Sequence, residues 1–340
     1  MKNVRGLSLS IGKILLFVFL FVTIFEYTSY VLVNKSESKA LSIIMEQEDD
    51  YYDVILCGPS HMQYGIQPAQ LFGEYGIVSC NTSTAAQSIP TTYYVITEMI
   101  QKHSPELVVL DLFCLFYPDV YFTPTRFHQA IDYFDLSKVK VEAIEDLVDE
   151  NKDEFYLNYL LYHSRWKELT KDDYTVRSSW NETYALLYRT EPFANDFVPV
   201  PTDERVEIPD VSLEYLEKIV TLFKETDTKL LLTVIPYRAD VDNNNTSAIL
   251  QQQMYNTVEV LAEEWGVDYL NGLWYLADME FDFTTDMNEF SHVNALGAKK
   301  ITTFYGKFLN ENYQLPDRTD ETRYFSWFED YQEYGSIFGD

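Results

Sequence analysis

Hydrophobic and polar positions divide the chain into an apolar leader, an alternating body and a tail with little periodicity. After Lys2, Arg5 and Lys13, the run from Ile14 to Phe25 is apolar except for Thr23. With Glu26 and Tyr27 to Val33 it reaches about the 20 residues that span a bilayer as a helix. Basic residues before this run and acidic ones after it predict a cytoplasmic N-terminus and an exported body. A cleaved signal peptide and a buried helix are the competing readings. Because Glu-Tyr-Thr-Ser-Tyr follows Phe25, no small-x-small cleavage site is available there, and residues 1–33 are expected to be an uncleaved anchor. Residues 34–50 read as a polar stem.

From residue 51 to about 315 the pattern alternates. Short apolar runs predict strands at Asp53–Cys57, Ile77–Asn81, Leu107–Phe113, Lys229–Ile235 and Val267–Leu270. Helical spacing predicts helices at Pro68–Tyr75, Thr91–His103, Leu213–Glu225, Ser247–Trp265 and Ala295–Asn310. Strands alternating with helices predict an α/β fold, a doubly wound parallel sheet covered on both faces. The alternation breaks between about 115 and 210, which reads as a mainly helical cap inserted after the third strand. A separate domain is the other reading of that stretch. The acidic, aromatic tail 316–340 is expected either to pack against the domain or to stay flexible.

Composition narrows the function classes. The 340 residues hold 54 Asp and Glu against 25 Lys and Arg, a formal charge of −29. Splitting the chain at residue 33 leaves 22 basic and 53 acidic groups in the body, a net −31. Such a surface repels phosphate backbones, so nucleic acid is not expected as a partner. Glycine is scarce at 12, and neither GxGxxG nor GxxxxGK[ST] occurs, which removes the usual support for dinucleotide or NTP chemistry. Cys57, Cys80 and Cys114 lie in apolar runs and read as buried small hydrophobes rather than a disulfide framework. With neither CxxC nor HExxH present, no zinc site is expected.

The first strand runs into Gly58-Pro-Ser60-His61, at the sheet edge where ligands bind in doubly wound folds. Ser60 is placed as a nucleophile would be, although a serine at a strand end is also a common helix cap. Asp282-Phe-Thr-Thr-Asp286-Met-Asn-Glu289-Phe-Ser-His292 precedes the last helix. A histidine there can reach back over the sheet edge, with a carboxylate three residues earlier orienting its Nδ1–H. The plainer reading is a polar loop whose acids cap the helix. Arg165 and Arg238 could bind an anionic substrate or form structural ion pairs. The many Tyr and Phe could stack on sugars, but their helical spacing reads mostly as core.

Together, Gly58-Pro-Ser-His61, Met62-Gln-Tyr-Gly-Ile66, Asn81-Thr-Ser, Gln87-Ser-Ile-Pro90 and His292-Val-Asn-Ala-Leu-Gly-Ala298 resemble the SGNH/GDSL hydrolase superfamily. The likeness is to its membrane-anchored bacterial branch, related to the D-alanyl-transfer protein of the teichoic-acid pathway and to glycan O-acetylation proteins. Within the insertion, Phe127-His-Gln-Ala-Ile-Asp132 and Tyr162-His-Ser-Arg-Trp-Lys-Glu-Leu169 also look like that branch. The resemblance covers about residues 50–312 and implies a flavodoxin-like sheet.

It also implies Ser60 as nucleophile and His292 as general base. Where the family has Asp three residues before the histidine, this chain has Glu289, with Asp286 three further back. Glu289 is the expected acid and Asp286 the alternative. The family's third-block Gly-x-Asn is replaced by Leu110-Asp-Leu-Phe113, so the oxyanion donors expected are the Ser60 N–H, Asn81 and Gln87. His61 is expected either to bind substrate or to pack against the cap. The implied activity is that of a serine esterase or O-acyltransferase acting on a cell-envelope glycan or polymer. It needs no metal or organic cofactor, and a membrane acyltransferase is the implied partner. The alternative is a catalytically inactive binding or scaffold protein on the same fold.

Overall fold

The computed structural model describes residues 2–33, 39–174, 186–187, 202–238, 246–289 and 291–339. Residues 34–38 of the expected stem, and 175–185 and 188–201 of the insertion, lie outside them. The chain opens with helix α1 (Lys2–Leu32). Its segment Ser10–Leu32 has a mean hydropathy of 2.0 and is, among the described residues, the one helix long and apolar enough to cross a membrane. Helix α2 (Lys39–Glu46) follows within the expected stem and buries Leu41, Ile44 and Met45, so this part is packed rather than extended.

The body begins with β1 (Val54–Cys57), α3 (Ser60–Gly65), α4 (Pro68–Tyr75), β2 (Ser79–Asn81), α5 (Ile89–His103) and β3 (Leu107–Asp111). Among the described residues between β3 and the next long helix lie five short α-helices: α6 (Pro118–Tyr121), α7 (Pro124–Ile131), α8 (Lys138–Leu147), α9 (Lys152–Tyr156) and α10 (Asn158–Tyr162). Then come α11 (Asp210–Lys224), β4 (Lys229–Val234), α12 (Thr246–Trp265), β5 (Asp268–Asn271), α13 (Ala295–Asn312) and α14 (Ser326–Ser336).

All five strands are parallel, in the order β2-β1-β3-β4-β5. That is the doubly wound, flavodoxin-like order, in which the chain first winds to one side of β1 and then to the other. The three inner strands β1, β3 and β4 are mostly apolar because both faces are covered, whereas the edge strands β2 (Ser-Cys-Asn) and β5 (Asp-Tyr-Leu-Asn) are more polar, and successive residues serve opposite layers. Val54 and Leu56 join Leu71, Ile301, Tyr305 and Leu309 on the α4 and α13 side. Ile55 and Cys57 join Val95, Met99, Leu216 and Ile219 on the α5 and α11 side. Cys57, Cys80 and Cys114 are all buried. The insertion shares the second layer, since Phe127, Ile131, Ile144 and Phe155 belong to the same core.

The acidic tail is packed as well. Arg318 holds Asp53 through two hydrogen bonds of 2.9 and 2.7 Å, and Trp327 and Tyr334 of α14 are buried. Trp327 lies against Phe72 of α4, and the Tyr334 hydroxyl donates to Gln70 at 2.7 Å.

Candidate active site

Ser60 owes its position to the two residues before it. Gly58 has φ = +144°, and a Cβ there would lie 2.9 Å from Asp111 Cβ, so only glycine lets β1 turn past the end of β3. Pro59 is the extended N-cap of α3, and its carbonyl accepts from the Met62 and Gln63 N–H groups at 3.1 and 3.3 Å. Ser60 is therefore inside the helix rather than at its cap. Its hydroxyl faces the carboxyl edge at the β1/β3 switch point.

The loop bearing His292 is braced at several points. Met287 and Val293 form an isolated antiparallel bridge, and the His292 carbonyl accepts from the Asn288 and Glu289 N–H groups at 2.8 and 3.3 Å. Asn294 caps α13 by accepting from the Leu296 and Gly297 N–H groups, while its amide donates to the Thr285 and Met287 carbonyls at 2.7 and 3.2 Å. At Gly297 a Cβ would come within 2.3 Å of the Asp286 carbonyl oxygen, so the helix start and the loop touch only because the residue is glycine.

These supports bring the two distant blocks together. His292 Nε2 lies 2.7 Å from Ser60 Oγ, and His292 Nδ1 is hydrogen-bonded to Glu289 Oε1. With Nδ1–H directed at the carboxylate, Nε2 is left as acceptor for the serine proton. Ser291 holds the carboxylate from the other side, its hydroxyl donating to Oε1 at 3.0 Å and its N–H to Oε2 at 3.2 Å. Burial pushes the Glu289 pKa up, but the Ser291 N–H and His292 outweigh it and hold the carboxyl below its usual range.

Asp286 is occupied elsewhere. It is buried, pairs with Lys300 Nζ at 2.7 Å and accepts from the Asp282 N–H at 2.8 Å. Of the two acids singled out in the sequence, Glu289 is the one that contacts His292.

The expected oxyanion donors are distributed differently. Asn81 Nδ2 donates to the Met62 and Ile66 carbonyls at 3.0 and 3.2 Å, so both amide hydrogens hold α3 in place and neither is directed at Ser60. Gln87 is buried in its own loop, donating to Thr92 and accepting from Thr84. Arg165 donates to the Leu32 and Val33 carbonyls at the end of α1 and pairs with Asp173 at 2.7 Å. Arg238 is buried just beyond β4.

His61 packs within the site. It is buried, stacked on His292 at 5.3 Å and on Tyr237 at 5.2 Å, with the Phe113 ring edge-on at 3.9 Å. Burial, assisted by nearby His292 and opposed by the Ser291 backbone, pushes its pKa down to about 3, so the ring stays neutral. Tyr64 meets the other side of the site, edge-on to His292 at 5.5 Å.

Phe113, Tyr237, Tyr64, Ser291 and Asp111 carry no functional signal of their own in the sequence. The first two stand just beyond β3 and β4, where the fold gathers strand ends. Asp111 lies beneath Gly58 and accepts from the Ile235 N–H at 3.1 Å. Burial raises its pKa to about 7 against the opposing backbone N–H groups of Ile235, Phe113 and Leu112.

No family model and no curated protein matches the chain. Among solved structures it is similar to a presumed acylhydrolase from Bacteroides fragilis NCTC 9343, at 11% identity and a TM-score of 0.38, covering 80% of this chain and 93% of that one. A likeness at that level leaves the chemistry to be argued from the side chains. Among the described residues, no three His, Cys, Asp or Glu side chains gather as a metal site requires.

Proposed function

We propose that this chain is a serine esterase or O-acyltransferase held at the membrane by α1, with its N-terminus cytoplasmic and its α/β domain outside. The observation that carries the reading is the 2.7 Å contact between His292 Nε2 and Ser60 Oγ, with Glu289 on the opposite ring nitrogen. In the proposed reaction Ser60 Oγ attacks an acyl carbonyl while His292 accepts its proton. The Ser60 N–H, which has no partner within the first turn of α3, is the donor assigned to the developing oxyanion. Collapse breaks the bond to the alcohol, which leaves with the proton from His292. Water or a sugar hydroxyl then attacks the acyl-enzyme by the same route reversed. Glu289 positions the imidazole and stabilises its charged form. Neutral His61 spares the imidazolium a second adjacent cation.

The substrate class proposed is an O-acylated cell-envelope glycan or polymer, with a membrane acyltransferase as the partner that supplies acyl groups. The acidity of the body favours acceptors that carry no dense negative charge. Hydrolysis of a chromogenic acetyl ester by the full chain in detergent tests the catalytic reading. Turnover is expected to fall by about 10³-fold or more in Ser60→Ala. Equal rates for wild type and Ser60→Ala would favour a second reading, a binding or scaffold protein on this fold. Asn81 is the observation on that side, because its amide serves α3 instead of an oxyanion.

A further inference from the structure

The cap carries apolar side chains on its outer surface beside α1. Phe127, Ile131, Ile144 and Phe155 face the core, yet Leu136, Leu157, Leu160, Leu161 and Trp166 are 36–70% exposed. All five come from residues 136–166, and four lie within ten residues of one another. A soluble surface seldom gathers so many large apolar groups without something to cover them.

Their location indicates what covers them. Helix α10, which carries Leu160 and Leu161, lies against α1, where the Tyr159 ring meets Phe25 at 5.4 Å. Phe25 closes the apolar run that starts at Ile14. The Arg165 guanidinium, next to Trp166, donates to the last carbonyls of α1 and is itself held by Asp173. A cation at a helix C-terminus complements the helix dipole, so this contact fixes the cap to the end of α1. Lys167 lies over the Trp166 ring at 5.4 Å, an apolar face with a cation beside it. Tryptophan next to lysine at the end of an apolar helix is the composition of a membrane–water interface.

We propose that this outer face of the cap, centred on Leu157, Leu160, Leu161 and Trp166, dips into the outer leaflet of the bilayer that α1 crosses. It makes the domain a monotopic rider on its own anchor. The inference rests on α1 being a membrane span. Contact is hydrophobic rather than electrostatic, since the body carries −31 and is repelled by anionic headgroups. The partner is therefore a neutral phospholipid surface.

The test reconstitutes the full chain in phosphatidylcholine vesicles, with and without brominated acyl chains, and reads tryptophan emission. Brominated lipid is expected to quench the wild type, with at least half of that quenching lost in Trp166→Phe. This variant changes an exposed ring and leaves the core intact. Equal quenching of wild type and variant, with the protein still co-floating with vesicles, would overturn the lipid contact alone and leave the patch to a protein partner. Failure to co-float would overturn both the span and the contact. As an independent check, a nitroxide on Leu161→Cys should be more accessible to oxygen than to a water-soluble nickel complex. The reverse order would contradict the proposal.

Discussion

The carboxyl edge of the sheet and the junction between α1 and the cap solve opposite problems. At the edge, polar groups must be aimed to within tenths of an ångström, so they stand on elements fixed from behind. Asn81 braces α3, Asn294 braces the histidine loop, and Gly58 and Gly297 admit contacts that a side chain would block. At the junction, one arginine reaches the end of α1, while leucines and a tryptophan remain uncovered. The polar groups of the first region are held by other groups of the chain. On the proposal that the cap rests on the bilayer, the second is completed by lipid. Directional chemistry is thus built on the rigid sheet, and the apolar surface that needs no fixed direction is left to the short helices of the cap.

The contrast is sharpest at the two acids of the histidine loop. Glu289→Gln should lower ester turnover by about 10⁴-fold, since the imidazole loses the charge that orients and stabilises it. Asp286→Asn should leave turnover within a few-fold and instead lower the melting temperature, because it unpairs Lys300. Steady-state kinetics and thermal unfolding of the two variants separate these effects. The opposite assignment of losses would place the catalytic acid in the buried pair.

Asp111 probes the rigidity of the same edge through pH. Its carboxyl titrates near 3.9 when unfolded and at about 7 when folded, so between these values the folded state binds more protons. That contribution is fully present below about pH 4, declines as pH rises and is gone above about 7. Wild type should therefore lose stability over this window by roughly 4 kcal/mol at most, relative to Asp111→Asn. Parallel profiles for the two proteins in chemical unfolding between pH 4 and 8 would show that Asp111 is not held in this way.

A smaller effect is expected at the junction. Arg165→Ala removes the contact to the end of α1 and leaves the site untouched, so turnover should be unchanged. Amide exchange at Tyr30–Val33 should become several-fold faster. Unchanged exchange would mean that the apolar contacts, with Tyr159 against Phe25, hold the cap without the clamp.

Much of this division is legible in the sequence. Parallel strands covered on both faces read as unbroken apolar runs, which is why Val54–Cys57 and residues 107–110 stand out. Two polar blocks at one sheet edge leave helix-capping readings open for Ser60 and His292, and it is the resemblance to the SGNH/GDSL hydrolases that implies their pairing, with Glu289 at the place of the family's acid. Other features depended on tertiary partners. Asn81 is taken by carbonyls of a helix 15 and 19 residues earlier, which no local pattern reveals. Helix α2 looks polar because residues 34–39 and 46–50 flank its short apolar stretch, although Leu41, Ile44 and Met45 have helical spacing. In α14, Trp327 and Tyr334 lie among acids that obscure the same periodicity.

The central claim is that Ser60 is a nucleophile activated by His292. Treating the full chain with a fluorophosphonate and locating the adduct by mass spectrometry addresses it without knowledge of the natural substrate. The account predicts one adduct per chain, on Ser60, absent from Ser60→Ala and formed far more slowly in Glu289→Gln. Labelling of Ser60→Ala to the same extent, or no adduct on the wild type, would contradict it.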